Sequence, residues 1–137
     1  MRYEASVVVK AAREKVYSAY TDFDAAPKWS TQAKAVEVST AGDLVRLQTT
    51  NRSGQKTTRE MKLFPPDRVE SEWDTRFTKV NSVVKFEDHS GGTRVAATLD
   101  IRFKGLWGWI LRTQGKTEAE ASAIQELSSF ARYVEAL

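Results

Sequence analysis

With 137 residues, 41% of them hydrophobic, the chain has the size of one ordinary globular domain and can bury about two-thirds of its unfolded surface. Its 21 Lys and Arg against 18 Asp and Glu leave a net charge of +3, scattered along the sequence, which disfavours a nucleic-acid-tracking patch. The lack of cysteine excludes disulfides, thiolate nucleophiles and sulfur-ligated zinc; with no visible signal peptide and no apolar run of transmembrane length, a cytoplasmic soluble protein is expected.

Tyr3, Ala5, Val7 and Val9 alternate with Glu4, Ser6, Val8 and Lys10, the period of a strand with one inward face. Ala11 to Tyr20 changes to helical spacing, with Val16, Tyr17 and Tyr20 sharing a side. Phe23 to Trp29, with Pro27 early in it, predicts a second short helix. From Ala33 the pattern is strand after strand. Val36 and Val38 lead through Gly42 and Asp43 to Val45, Leu47, Thr49 and Asn51; Ser53 and Gly54 turn the chain into Thr57, Arg59, Met61 and Leu63. Pro65, Pro66 and Asp67 end that strand, and Val69, Ser71, Trp73, Thr75 and Phe77 are expected inward on the next. Val80 to Phe86, a turn at His89 to Gly92, and Val95 to Phe103 complete the run. Leu106 to Leu137 then reads as one amphipathic helix. Centring its buried stripe on Ile124 gathers Leu106, Trp109, Ile110, Thr113, Thr117, Ala121, Leu127, Ser128 and Ala131, with Glu126 on the flanks and back. The stripe's small residues between Thr113 and Ala121 leave room for a cavity. The expected architecture is α+β over a single domain, 1–137: roughly seven antiparallel strands in a curved sheet wrapped around the last helix, with two short helices after strand one.

The stretch SVVVKAAREKVYSAYTDFDAAPKW, through Ala11, Val16, Tyr17, Asp22, Pro27 and Trp29, resembles the opening of the START-like superfamily, also called helix-grip or SRPBCC proteins. The end, GGTRVAATLDIRFKG before a long helix, resembles that family's last strand and gripping helix. Within the superfamily the chain is most similar to the polyketide cyclase/dehydrase and lipid-transport-like proteins. The resemblance implies a mainly apolar cavity between sheet and helix, closed at one end by the short helices. It does not select a reaction, because one fold hosts many functions.

The inward positions nominate a ligand lining of Arg59, Met61, Trp73, Thr75, Val84, Phe86, Ala97, Leu99, Thr117, Ala121 and Ile124. Among these Arg59 alone carries a full charge. The turn at Ser53 and Gly54 groups it with Thr49, Asn51 and Thr57, so it must reach water, a carboxylate or a ligand anion. Glu120, at the stripe's edge, is expected to lean outward and pair with Lys116, and is the best-placed acid or base if the cavity does chemistry. Glu70, Glu72 and Asp74 read as a solvated ion-pair ladder, His89 as a turn residue, and Trp29 as packing between insert and sheet. Trp107 and Trp109 flank Gly108, with Trp109 packing in the core and Trp107 covering the helix entry, or both offering an anchor on a partner or a membrane interface. No phosphate loop, metal motif or nucleophile elbow is present. Three readings follow: a monomeric or weakly dimeric container for a hydrophobic or amphipathic small molecule (lipid, quinone, isoprenoid or polyketide-like), a polyketide cyclase or dehydratase, and a protein-interaction module like chaperone-activator or ribosome-associated relatives. No cofactor, metal or nucleic acid is expected in any of them.

Overall fold

The computed structural model describes residues 1–105 and 116–137, and at 116 and 117 the backbone only. Seven strands form one antiparallel sheet: β1 (Arg2–Val9), β2 (Ala33–Ala41), β3 (Leu44–Asn51), β4 (Lys56–Phe64), β5 (Arg68–Asp74), β6 (Thr78–His89) and β7 (Gly92–Phe103). Their spatial order is β1-β7-β6-β5-β4-β3-β2. Strands β2 to β7 are therefore a meander, and β1 returns to its end beside β7, with Tyr3 opposite Leu99 and Val7 opposite Val95. Helices α1 (Arg13–Thr21) and α2 (Ala26–Trp29), joined by a single 3-10 turn at Phe23–Ala25, carry the chain from one sheet edge to the other. Helix α3, described over Lys116–Glu135, packs against β1 and α2.

The predicted alternation is realised strand by strand. Tyr3, Ala5 and Val9 are buried on β1, Leu47 on β3, Met61 on β4, Val69 on β5, Val80, Val84 and Phe86 on β6, Val95 and Ala97 on β7. The junction of β1 and β7 is tight: a Cβ on Gly92 would collide with the Val9 carbonyl, so the close approach requires glycine there. Beside it the fully buried Thr93 donates its hydroxyl to the Ala11 carbonyl at 2.8 Å, tying β7 to the entry of α1.

Two expectations fail locally. Strand β5 stops at Asp74, because Thr75 and Thr78 close a turn in which their hydroxyls meet at 2.5 Å and the Thr78 amide donates to Thr75 Oγ1 at 3.1 Å. Thr75 thus belongs to a turn and not to an inward strand face. On α3 the buried side is Ala123, Leu127, Phe130, Ala131 and Val134, while Ala121 is exposed and Ile124 is 49% exposed. The stripe is rotated by about one residue's step, roughly 100°, from the one centred on Ile124. Phe130, Val134 and Leu127 outweigh Ile124, and the helix turns to bury the heavier set. Trp107 and Trp109, and the side chain of Thr117, lie outside the described residues.

Candidate ligand-binding cavity

Between α3 and the sheet lies a cavity of about 380 Å³, within the range of small-molecule sites. Its wall on the helix side is made of small residues, Ala119, Ser122 and Ala123, with Glu126 and Leu127 beyond them. The sheet contributes Tyr3, Arg59, Trp73, Ser82, Val84, Ala97 and Leu99, and the insert contributes Tyr20, Trp29 and Gln32. Five of the eleven nominated residues are brought together here: Arg59, Trp73, Val84, Ala97 and Leu99. Met61 and Phe86 instead sit in the close-packed core, 2% and 1% exposed. Thr75 is in its turn, and Ala121 and Ile124 face away from the cavity as a consequence of the helix rotation. Glu120 is half-buried and does not line the cavity, although its charge opposes ionisation of Tyr3.

Arg59 dominates the electrostatics. It stands directly across the ladder from Trp73, so period-two geometry places both side chains on the concave face, and the guanidinium carbon lies 4.2 Å from the Trp73 ring centroid. Its Nε is shielded from solvent and has no hydrogen-bond partner among the described residues, and no carboxylate among them lies within ion-pairing distance. Burial pushes the Arg59 pKa down, against an opposing pull from charge on Tyr20, Glu126 and Tyr3, the tyrosines acting only once ionised. The Tyr3 and Tyr20 phenols are both held above the usual 10.0, by desolvation first and against the pull of Arg59. Both are neutral donors at physiological pH.

Sequence spacing puts Glu126 on the helix's flank and back; the structure turns it inward. Its carboxylate accepts hydrogen bonds from the Ser30 hydroxyl, the Thr31 hydroxyl and, at 3.0 Å, the Thr31 amide. One turn before it Ser122 Oγ accepts from Gln32 Nε2 at 2.9 Å, and one turn after it the Ser129 hydroxyl donates to the Trp29 carbonyl. Ser122, Glu126 and Ser129 are spaced i, i+4 and i+7, so one polar edge of α3 grips the whole α2–β2 junction. From the other side Arg52 donates to the Thr31 and Ser30 carbonyls at 3.2 and 3.4 Å. A sequence signal existed in the facing pair of polar runs, Ser30-Thr31-Gln32 and Ser122/Glu126/Ser129. Their separation, 95 residues between Thr31 and Glu126, hid it.

The remaining polar candidates lie outside the cavity. Glu70 pairs with Arg68 and Asp74 with Lys104, each at 2.8 Å, on the solvent side. His89 is exposed in the β6–β7 turn, with Nδ1 3.1 Å from the Ser90 carbonyl. Among the described residues no group of carboxylates and histidines is placed to hold a metal ion, and no helix is long and apolar enough to cross a membrane.

A family model described as "Polyketide cyclase / dehydrase and lipid transport" matches residues 1–135. Among solved structures, TTHA0849 from Thermus thermophilus superposes with a TM-score of 0.83 at 20% identity, over 99% of this chain and 98% of that one. The Zhui aromatase/cyclase from Streptomyces sp. R1128 gives 0.78 at 14% identity, over 98% and 93%. An AHSA1-like protein from Aeromonas hydrophila gives 0.74 at 20%, over 99% and 93%. Two di-domain aromatase/cyclases are spanned over about half their length, 48% and 50%. At such identities the likeness is one of fold. No curated protein matches by sequence.

Proposed function

The chain belongs to the polyketide cyclase/dehydrase and lipid-transport family, and we propose that its cavity binds an amphipathic organic anion, head group on Arg59 and apolar body along Trp73, Val84, Leu99 and Leu127. The observation that carries this reading is a cavity-lining guanidinium whose Nε is shielded from solvent and which has no carboxylate within ion-pairing distance among the described residues, Glu126 acting on it only from farther off. A buried cation of this kind costs several kcal/mol unless something compensates it. The Trp73 face supplies part of that compensation, about 0.5–2 kcal/mol. A carboxylate, phosphate or enolate supplies the rest, since the planar guanidinium matches such groups with paired donors. Eight of the lining side chains are aliphatic or indole surface and suit a hydrophobic body: Trp29, Trp73, Val84, Ala97, Leu99, Ala119, Ala123 and Leu127.

The experiment is a fluorescence titration with dodecanoate and its methyl ester. Trp73 forms the wall beside Arg59, so dodecanoate is expected to change the emission of the wild type, and Trp73→Phe to lose most of that change. Arg59→Met should cost the acid about 1.5–3 kcal/mol of affinity, the worth of a hydrogen bond to a charged group, and leave the ester nearly unaffected. Equal losses for acid and ester would return Arg59 to a purely structural role.

A cyclase or dehydratase reading uses the same cavity and rests on a further observation: Tyr3 and Tyr20, both neutral phenols at physiological pH, line it together with Arg59. That trio has the donors to stabilise an enolate. Lasting occupancy by an unaltered ligand supports the container; conversion of a linear poly-keto thioester into a ring supports the enzyme.

A further inference from the structure

The floor of the cavity carries a hydroxyl that the fold does not use. Alternation on β6 puts Ser82 on the concave face between Val80 and Val84, and all three are buried. The register sets it beside Ser71 of β5 and Leu99 of β7, and Leu99 in turn stands opposite Tyr3 of β1. Four side-chain atoms of the described residues are both partnerless and shielded from solvent: Arg13 Nε, Tyr17 Oη, Trp29 Nε1 and Arg59 Nε. Ser82 Oγ makes no hydrogen bond to a described residue and is not one of these four, so it lies open to the cavity that Ser82 lines. Trp73, over which the Arg59 guanidinium lies, is on β5, the strand next to that of Ser82, so one molecule held by Arg59 can reach both. A hydroxyl on an otherwise apolar floor costs desolvation whenever hydrocarbon covers it, unless the covering molecule brings a partner.

We propose that Ser82 is a specificity-determining residue of the cavity, its hydroxyl bonding a neutral oxygen, a ketone or hydroxyl, on the body of the anion that Arg59 holds. The inference rests on the reading of the cavity as an anion site and narrows it. Arg59 alone accepts any amphipathic acid, whereas a hydroxyl fixed to the sheet at one place discriminates by where along the body the oxygen sits. Serine can donate or accept, so both kinds of oxygen fit. A plain hydrocarbon drives water from the hydroxyl and returns nothing, while an oxygen at the matching position remakes the bond. That asymmetry becomes selectivity.

The test is calorimetric titration of the full chain with dodecanoate and with a series of dodecanoates bearing one ketone at successive carbons. One or two ketone positions are expected to bind about fivefold more tightly than dodecanoate, the size of one neutral hydrogen bond. Ser82→Ala should bind dodecanoate at least as well as the wild type and lose the ketone gain. Because no described residue uses the hydroxyl, the ligand-free variant should melt at the wild-type temperature or above; a marked fall would show the hydroxyl bonded within the protein and would overturn the inference. Dodecanoate that binds through Arg59 while no ketone position gains affinity would overturn it too and leave the anion site standing. So would a gain that survives in Ser82→Ala, as one owed to Tyr3 would. Failure of every acid to bind would overturn the anion site and this inference with it.

Discussion

The two halves of the space beneath the sheet are built from the same strands and the same helix, yet one is solid and the other open. In the solid half Phe130 meets Tyr20 edge-on at 5.6 Å, Tyr17 and Tyr20 both meet Phe86, at 5.2 and 5.5 Å, and Val134 fills the remainder. In the open half α3 offers the small Ala119, Ser122 and Ala123 before Glu126 and Leu127, and a cavity faces them. Side-chain volume on a single helix decides which half packs and which half receives. The polar grip centred on Glu126 lies at the boundary and fixes the helix against the insert.

The largest effect is expected where the molecule is solid. Phe130→Ala should destabilise the fold by about 3–5 kcal/mol, measured by urea unfolding, because a fully buried ring leaves a void that its neighbours cannot refill. Next comes the boundary. Glu126→Ala removes the acceptor of three hydrogen bonds and strands donors at Ser30 and Thr31, which should cost about 1–3 kcal/mol and loosen the α2–β2 junction in hydrogen exchange.

Substitution in the open half should invert the pattern. Ala123→Phe fills space that is already empty, so stability should change by less than about 1.5 kcal/mol while ligand affinity falls at least about tenfold. The same change at the exposed Ala121 is the control and should alter neither. A melting point that collapses in Ala123→Phe would show the cavity to be close-packed in solution.

How far these contrasts can be read from sequence depends on the periodicity involved. A strand has only two faces, so alternation puts Arg59 and Trp73 on the concave side, and the ladder then stacks them as cross-strand partners. A helix offers a continuum of phases, and with Ala, Ser and Ile at many positions of α3 a one-residue shift is enough to put Ile124 and Ala121 outside and Glu126 inside. Thr75 departs from its expected place for a different reason. Its alternation with Trp73 is sound, but a hydroxyl pairing with Thr78 captures it for a turn. The clamp of Glu126 on Ser30 and Thr31 joins two polar runs 95 residues apart, so each run is visible in the sequence but their pairing is not.

The smallest expected effect concerns alkali. Tyr20 is half-buried as a residue, and the rings of Trp29, Phe86 and Phe130 around it push its phenol above the usual 10.0. A pKa raised in the folded state means that the unfolded chain ionises first. The stabilisation is therefore complete below about pH 10, the unfolded value, and is lost as the pH rises from there through the folded one. Tyr20→Phe should move the alkaline unfolding midpoint to higher pH, followed by tyrosinate absorbance and circular dichroism; an unchanged midpoint would show that Tyr20 is solvated.

The most direct test of an open half organised around a buried, unpaired cation is the thermal melting of Arg59→Met with and without dodecanoate at neutral pH. The account predicts that the ligand-free variant melts at the same temperature as the wild type or higher, because a desolvated charge has been removed, and that dodecanoate raises the wild-type midpoint but not the variant's. A variant that melts well below the wild type, with an equal ligand-induced rise in both proteins, would contradict it.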